Sequence, residues 1–145
     1  MTLKALSVRQ PWAGLIAAGL KRVENRSFQP AHRGEVAIHT GLVFDPAEVE
    51  QQLRAGVVAP FTVVGAVIAV VDLTGCHQAD QDSVTTCCQP YGLRLHATRP
   101  AQHWTLENAR LLDTPVPWRG QLGLWNAPAE VENAIRRQFG GGVPA

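Results

Sequence analysis

Apolar residues recur at three- and four-residue spacing through Trp12, Leu15, Ile16 and Leu20, directly behind a Gln10-Pro11 step. That spacing lays one apolar stripe along a helix. It predicts a helix over Pro11–Ala18, since Pro suits a first helical turn, where its missing N–H costs nothing and its φ is already helical. Gly19 is placed to end that helix in a left-handed turn. Ahead of it, Lys4–Val8 reads as a strand. Behind it, Leu20–Asn25 reads as a strand with a bend, because Leu20 and Val23 do not share a face under strict alternation. In an extended segment Arg22, Glu24 and Arg26 take one face and Lys21, Val23 and Asn25 the other. An irregularity between Lys21 and Glu24 would bring those two side chains together.

Further along, Gly34–His39 alternates as a strand ending in a polar residue. Asp45, Pro46 and Glu48 form the cap, first position and third position of a second helix over Pro46–Arg54. The Val-rich run Val63–Thr74 is the long central strand. His77–Pro100 has no period and gathers turn-forming residues, so it reads as a long loop placed to order over a cleft. Trp104–Leu112 and Gly120–Trp125 are the last strands, joined across Pro115 and Pro117. Pro128–Phe139 closes the chain as a helix with Asn126 as its cap, and Gly140–Ala145 frays. This is an α+β pattern with five or six strands and two or three short helices, suited to a small curved β-barrel, incomplete or closed, with the Pro11–Ala18 helix packed over one end. It predicts a single domain over residues 1–139 and a flexible tail over 140–145.

Composition changes this picture in few places. A chain of 145 residues is long enough to bury a real core as one domain. The longest apolar stretch, Phe61–Val71, is broken by Thr62 and Gly65, so no bilayer span and no membrane partner are expected. The formal net charge of +1 conceals an asymmetry: residues 1–34 carry six Lys or Arg against one Glu. A positive N-terminal third is the footprint that phosphates require. Three cysteines, two of them adjacent at Cys87-Cys88, make a poor disulfide framework and point to a reducing, cytoplasmic compartment. Cys76-His77, Cys87-Cys88, His96 and His103 share one half of the chain. Their spacing does not match the paired Cys-x-x-Cys of structural zinc sites, so no metal and no cofactor are expected.

The candidate chemistry concentrates between Leu6 and Phe28. Arg9 and Trp12 flank a strand-to-helix turn whose free N–H groups suit an anion. Trp12 sits on the apolar stripe and is expected to be buried with Leu15 and Ile16. A second polar cluster, Lys21, Arg22, Glu24, Asn25 and Arg26, follows Gly19. Two polar clusters held by one helix look like two sides of a cleft. A carboxylate accepts from a base's amino group, while Lys and Arg meet carbonyls or phosphate. Ser7, Gln10 and His39 complete the ligand set, His39 either lining the pocket or satisfied in the core. Trp118 and Arg119 are candidate rim contacts.

The run LSVRQPWAGLIAAGLKRVENR resembles the opening of an ASCH domain, a branch of the PUA-like superfamily of small RNA-associated β-barrels. The family's Gly-x-Lys-x-x-Glu-x-Arg run is met by Gly19, Lys21, Glu24 and Arg26. A Ser-x-Arg-Gln-Pro-Trp lead-in, found in one subgroup, is met by Ser7, Arg9, Gln10, Pro11 and Trp12. GAVIAVVDLTGC (Gly65–Cys76) and HWTLENARLLDTPVPWRGQLGLW (His103–Trp125) extend the resemblance from about Leu3 to Asn126. It implies a nucleic-acid-binding module for RNA or a modified nucleobase, held in a Lys/Glu/Arg cleft, with phosphates on Arg9, Arg22 and Arg33. The alternative is a small hydrolase. Some ASCH-like proteins deacetylate acetylcytidine with a Lys, a Thr three residues on and a distant Glu, and others have been linked to RNA cleavage. Here Lys21 matches, but Glu24 stands where that Thr belongs, leaving Lys21 and Glu24 as the acid–base pair of any enzyme. A third reading, a partner-binding module, leaves protein partners open.

Overall fold

Strict alternation along the first strand decides the architecture. The computed structural model describes residues 2–140, so most of the expected tail, residues 141–145, lies outside the described residues. In β1 (Lys4–Gln10), Leu6 and Val8 are buried on one face of a sheet, and Ala5, with Leu3 just ahead of the strand, on the other. Two cores result, one per face. The chain continues through α1 (Trp12–Ala17), β2 (Val23–Arg26), β3 (Gly34–Phe44), α2 (Pro46–Arg54), β4 (Ala66–Gln78), β5 (Leu95–His96), β6 (Arg99–Pro100), β7 (Gln102–Pro117), β8 (Leu124–Asn126) and α3 (Ala129–Arg137). The main sheet has six strands in the order β2-β7-β4-β3-β1-β8, and β5 and β6 form a separate two-stranded ladder. β1 and β3 run parallel and the remaining neighbours antiparallel.

α1 covers one face with Ala13, Ile16 and Ala17 packed on Leu6, Val36, Ile68, Val71, Trp104 and Leu106. On the opposite face Val131 and Ile135 of α3 pack on Ala37, Val67, Val70, Leu112 and Trp125. β4 is therefore buried on both sides, which is why its sequence is a nearly unbroken apolar run. Register shifts interrupt the β4–β7 ladder between Val67 and Ala69, Val70 and Asp72, and Leu73 and Gly75. Such irregularities bend a sheet. The bend does not close it: the end strands β2 and β8 each have one neighbour among the described residues, so of the two forms expected, incomplete or closed, the barrel takes the incomplete one, an open curved sheet.

Three expectations shift. The last long strand runs straight through Pro115 to Pro117. Beyond Leu106, whose N–H still donates to the Arg22 carbonyl at 3.0 Å, no strand among the described residues pairs with its outer edge, and an unpaired edge tolerates residues without an N–H. Leu20 lies beyond α1 and is exposed, because the helix ends at Ala17 and Gly19 turns left-handed with φ 78°. α3 begins behind Pro128 rather than under an Asn126 cap, because Asn126 belongs to β8, where its side chain accepts from Lys4 Nζ at 2.8 Å. The second helix matches its expectation: Asp45 accepts from the Glu48 N–H at 3.2 Å, with Pro46 in the first turn.

Candidate functional site

β2 begins only at Val23, so Lys21 is not bound by strand alternation and its side chain swings back over Glu24. Lys21 Nζ meets Glu24 Oε1 at 3.2 Å and also donates to the Val23 carbonyl. Arg26, two residues on and on the same face as Glu24, approaches Glu24 Oε2 at 2.8 Å through Nη2 and 3.0 Å through Nε. The same guanidinium donates to the Ser7 carbonyl at 3.0 Å and lies 6.0 Å above the Trp104 ring. Burial opposes the Glu24 charge, but Lys21 and Arg26 outweigh it and hold the carboxyl below its usual value of 4.5. Glu24 is thus a fixed acceptor whose remaining lone pairs face a cleft.

That cleft encloses about 700 Å³ and is lined by Arg9, Trp12, Lys21, Glu24, Arg26, Tyr91 and His96, among others. Three cations face one carboxylate. Arg9 is exposed and makes no ion pair or side-chain hydrogen bond among the described residues. Trp12 is half-buried, not buried as the stripe predicts: α1 starts at Trp12, so its side chain falls at the helix edge, over the opening. Leu15 and Ile16 are buried as expected.

The cleft's far wall comes from the long loop. Asn25 grips it with both ends of its amide: Nδ2 donates to the Tyr91 carbonyl at 3.0 Å and Oδ1 accepts from the Leu93 N–H at 2.9 Å. Its amide thereby positions Tyr91 and Leu93, while Asn25 itself also lines the cleft. Gln10 is similarly occupied. Fully buried, it donates to the Pro60 and Val63 carbonyls at 2.6 and 2.9 Å and accepts from the Gly14 N–H at 2.9 Å, which ties α1 to the following loop. Arg22 points away from the cleft, toward a hollow on the other side where it faces Glu107 at 3.7 Å. Arg33 donates to the Pro30 and His32 carbonyls.

Ser7 and His39 are register partners on β1 and β3 and touch directly, Ser7 Oγ to His39 Nδ1 at 3.0 Å. A carbonyl only accepts, so His39 Nε2 carries the proton it gives to the Trp118 carbonyl at 2.7 Å, and Nδ1 accepts from the Ser7 hydroxyl. Burial holds His39 below its usual pKa of 6.5, against the smaller opposing effect of the Trp118 bond. Trp125 Nε1 donates to the same hydroxyl at 3.3 Å. Gly120 covers the pair so closely that a Cβ would stand 2.6 Å from Ser7 Oγ. Ser7, Arg9 and Leu122 line both the first cleft and a second one of about 540 Å³, in which Trp118 and Arg119 sit.

Sequence spacing misses two groups. Tyr91, His96 and Leu122 reach the cleft only through loop folding, and no periodicity announces them. His77, Cys87, Cys88 and His103 converge although their spacing argues against it. His77 and His103 face each other across the β4–β7 ladder, a relation invisible at a separation of 26 residues. Burial pushes the Cys88 thiol up, with Cys87 adding to it, and pulls His103 down. Among the described residues no helix is long and apolar enough to cross a membrane.

Residues 6–116 match the ASCH domain family. The chain is 49% identical over 47 residues to activating signal cointegrator 1 of Mus musculus, covering 32% of this chain and 8% of that protein. It is 58% identical over 33 residues to the Homo sapiens protein of the same name, covering 23% and 6%. The chain thus spans less than a tenth of the length of these relatives. Among solved structures, a point mutant of ZmASCH from Zymomonas mobilis aligns with a TM-score of 0.64 at 14% identity, over 94% of this chain and 98% of that one. ASCH from the same organism gives 0.57 at 14% identity, over 95% and 93%. At that identity the likeness is one of fold.

Proposed function

This chain belongs to the ASCH domain family, and from that premise we propose that it is a nucleic-acid-binding module taking a base of single-stranded RNA, or a modified nucleoside, into the Lys21–Glu24–Arg26 cleft. The observation that carries the reading is the cleft's composition: three cations around one pinned carboxylate, with Trp12 and Tyr91 on its walls. Its volume of about 700 Å³ suits a nucleotide-sized ligand. Single-stranded bases are read by aromatic stacking and by hydrogen bonds to their edges. Here Glu24 accepts from an exocyclic amino group, Lys21 donates to a ring carbonyl, and Arg9 meets the flanking phosphate. We assign the chain further to the subgroup with a Ser-x-Arg-Gln-Pro-Trp lead-in; supporting this, Ser7, Arg9 and Trp12 border the cleft while Gln10 ties the turn to the following loop.

Titration with short single-stranded RNA and with free nucleosides tests the reading. Wild type should bind at low ionic strength, and Glu24→Gln should lower nucleoside affinity about tenfold, the loss of one charge-assisted hydrogen bond. No binding at low ionic strength, or equal binding by the variant, would sink it.

A second reading is favoured by the Ser7–His39 contact. A hydroxyl hydrogen-bonded to an imidazole, itself oriented by a carbonyl, is the arrangement of an activated nucleophile. Ser7 would then supply the hydroxyl that Glu24 cannot. Turnover of acetylcytidine by purified protein, abolished by Ser7→Ala, would put the hydrolase first.

A further inference from the structure

We propose that His77, Cys87, Cys88 and His103 form a closed four-coordinate site for a thiophilic divalent metal ion, with zinc as the resident ion. One ligand atom from each residue lies within 4.8 Å of all the others. Cys88 Sγ is 3.4 Å and Cys87 Sγ 3.7 Å from His77 Nε2, and Cys87 Sγ is 3.5 Å from His103 Nδ1. Zinc bonds of about 2.3 Å to sulfur and about 2.05 Å to nitrogen, set tetrahedrally, require sulfur–nitrogen edges of about 3.6 Å. Three sulfur–nitrogen edges of the cluster, 3.4, 3.5 and 3.7 Å, already match that value.

Each part of the surroundings fits a metal better than a chance meeting of thiols and imidazoles. The two histidines are held rigidly as a cross-strand pair, their rings 5.2 Å apart and nearly perpendicular. His103 Nε2 is 2.7 Å from the Leu93 carbonyl, which fixes the proton on that nitrogen and turns the Nδ1 lone pair into the cluster. This is the outer contact that metal-bound histidines characteristically make. Neighbouring residues in extended chain point to opposite sides, so two adjacent cysteines cannot ordinarily serve one centre. Here Cys88 takes a left-handed conformation at φ 62°, and both sulfurs reach His77. The turn is closed by the Gly92 N–H on the Cys88 carbonyl at 2.7 Å, and at Gly92 a Cβ would stand 2.3 Å from the Cys87 carbonyl oxygen. Both thiols approach His77 Nε2, and Cys87 Sγ also approaches His103 Nδ1, so the four groups share one small space rather than forming two separate pairs. Two thiolates and two neutral imidazoles balance a divalent cation, and a tetrahedral set with sulfur selects zinc over calcium or magnesium.

With all four positions filled by protein the ion is structural. It fixes the turn from Cys87 to Leu93, whose far end Asn25 holds from the other side, and so sets the cleft wall without touching the cleft's ligand. The site does not depend on what that ligand is.

The test is metal uptake by the whole chain. Protein purified without chelator should contain about one zinc per chain by elemental analysis. After chelator treatment it should take up one equivalent of Co2+ with thiolate-to-cobalt charge-transfer and tetrahedral d–d absorption, displaced by zinc. Cys88→Ser and His77→Ala should weaken Co2+ binding by more than the ~10–100-fold that loss of an outer contact costs. Cys76→Ser, a cysteine outside the cluster, should leave it unchanged. His77 is exposed, so His77→Ala serves should Cys88→Ser fail to fold. Absence of equimolar uptake, or a cobalt spectrum insensitive to His77→Ala, would overturn the site.

Discussion

Removing the carboxylate of Glu24 would leave Lys21 and Arg26 as two cations sharing a largely buried space. Breaking a buried pair from one side costs about 3–5 kcal/mol, so Glu24→Ala should lower the free energy of chemical unfolding by roughly 3 kcal/mol or more. The pH dependence follows from the depressed pKa. The stabilisation is complete above the unfolded value of about 4.5 and is lost as pH falls through the lower folded value. Acid unfolding should therefore be less steep in Glu24→Gln than in wild type. His39 has the same sign by a different route. Held neutral by burial, it binds its proton more readily when unfolded, so its contribution is present above about pH 6.5 and fades below it. Melting temperature should fall from about pH 7.5 to about pH 5.5, and His39→Asn should flatten that fall. Lys21, Glu24 and Arg26 were legible in sequence because a bend behind a glycine is enough to join them. Tyr91 and His96 were not, because a loop without a period says nothing of where it folds back.

At the level of elements, α1 is only six residues long and cannot stand on its own hydrogen bonds. Gln10 anchors it. Gln10→Ala would strand the Gly14 N–H and two carbonyls in the interior, costing on the order of 3 kcal/mol by denaturant titration. Gly120 plays a comparable part over β1 and β3. A Cβ there would sit 2.8 Å from His39 Cε1, so Gly120→Ala should destabilise by about 1–3 kcal/mol and displace the Ser7–His39 contact, visible as a shifted His39 imidazole resonance. α1 and the central strands could be read from their apolar pattern because each is buried on at least one face, whereas α2, which buries no residue, could be read from its Asp45-Pro46 cap. The continuous β7 could not, since two prolines argue for a break wherever the partner strands are unknown. An incomplete barrel was within the expectation, but the choice between open and closed was not legible: strand number is written in a sequence, and closure depends on which ends meet.

For the whole molecule, the concentration of cations in the first 34 residues survives folding only in part. Arg9 stands free at the cleft while Arg22 is turned toward Glu107. RNA affinity should therefore fall with salt, and Arg9→Ala should flatten the log–log slope by about one, with Arg22→Ala leaving it unchanged. The two polar centres meet in one short stretch of β7. Trp104 pairs with Glu24 and lies under Arg26, whereas its neighbour His103 pairs with Asn25 on one side and His77 on the other. Adjacent residues of a strand face opposite ways, so a slip of one residue exchanges them. Deleting or inserting a single residue within Gln102–Thr105 would thus empty both centres at once. The exposed turn around Ser83 and Val84, which touches neither centre, would absorb the same change, so a length scan along the chain should locate both centres by the silence it leaves in β7.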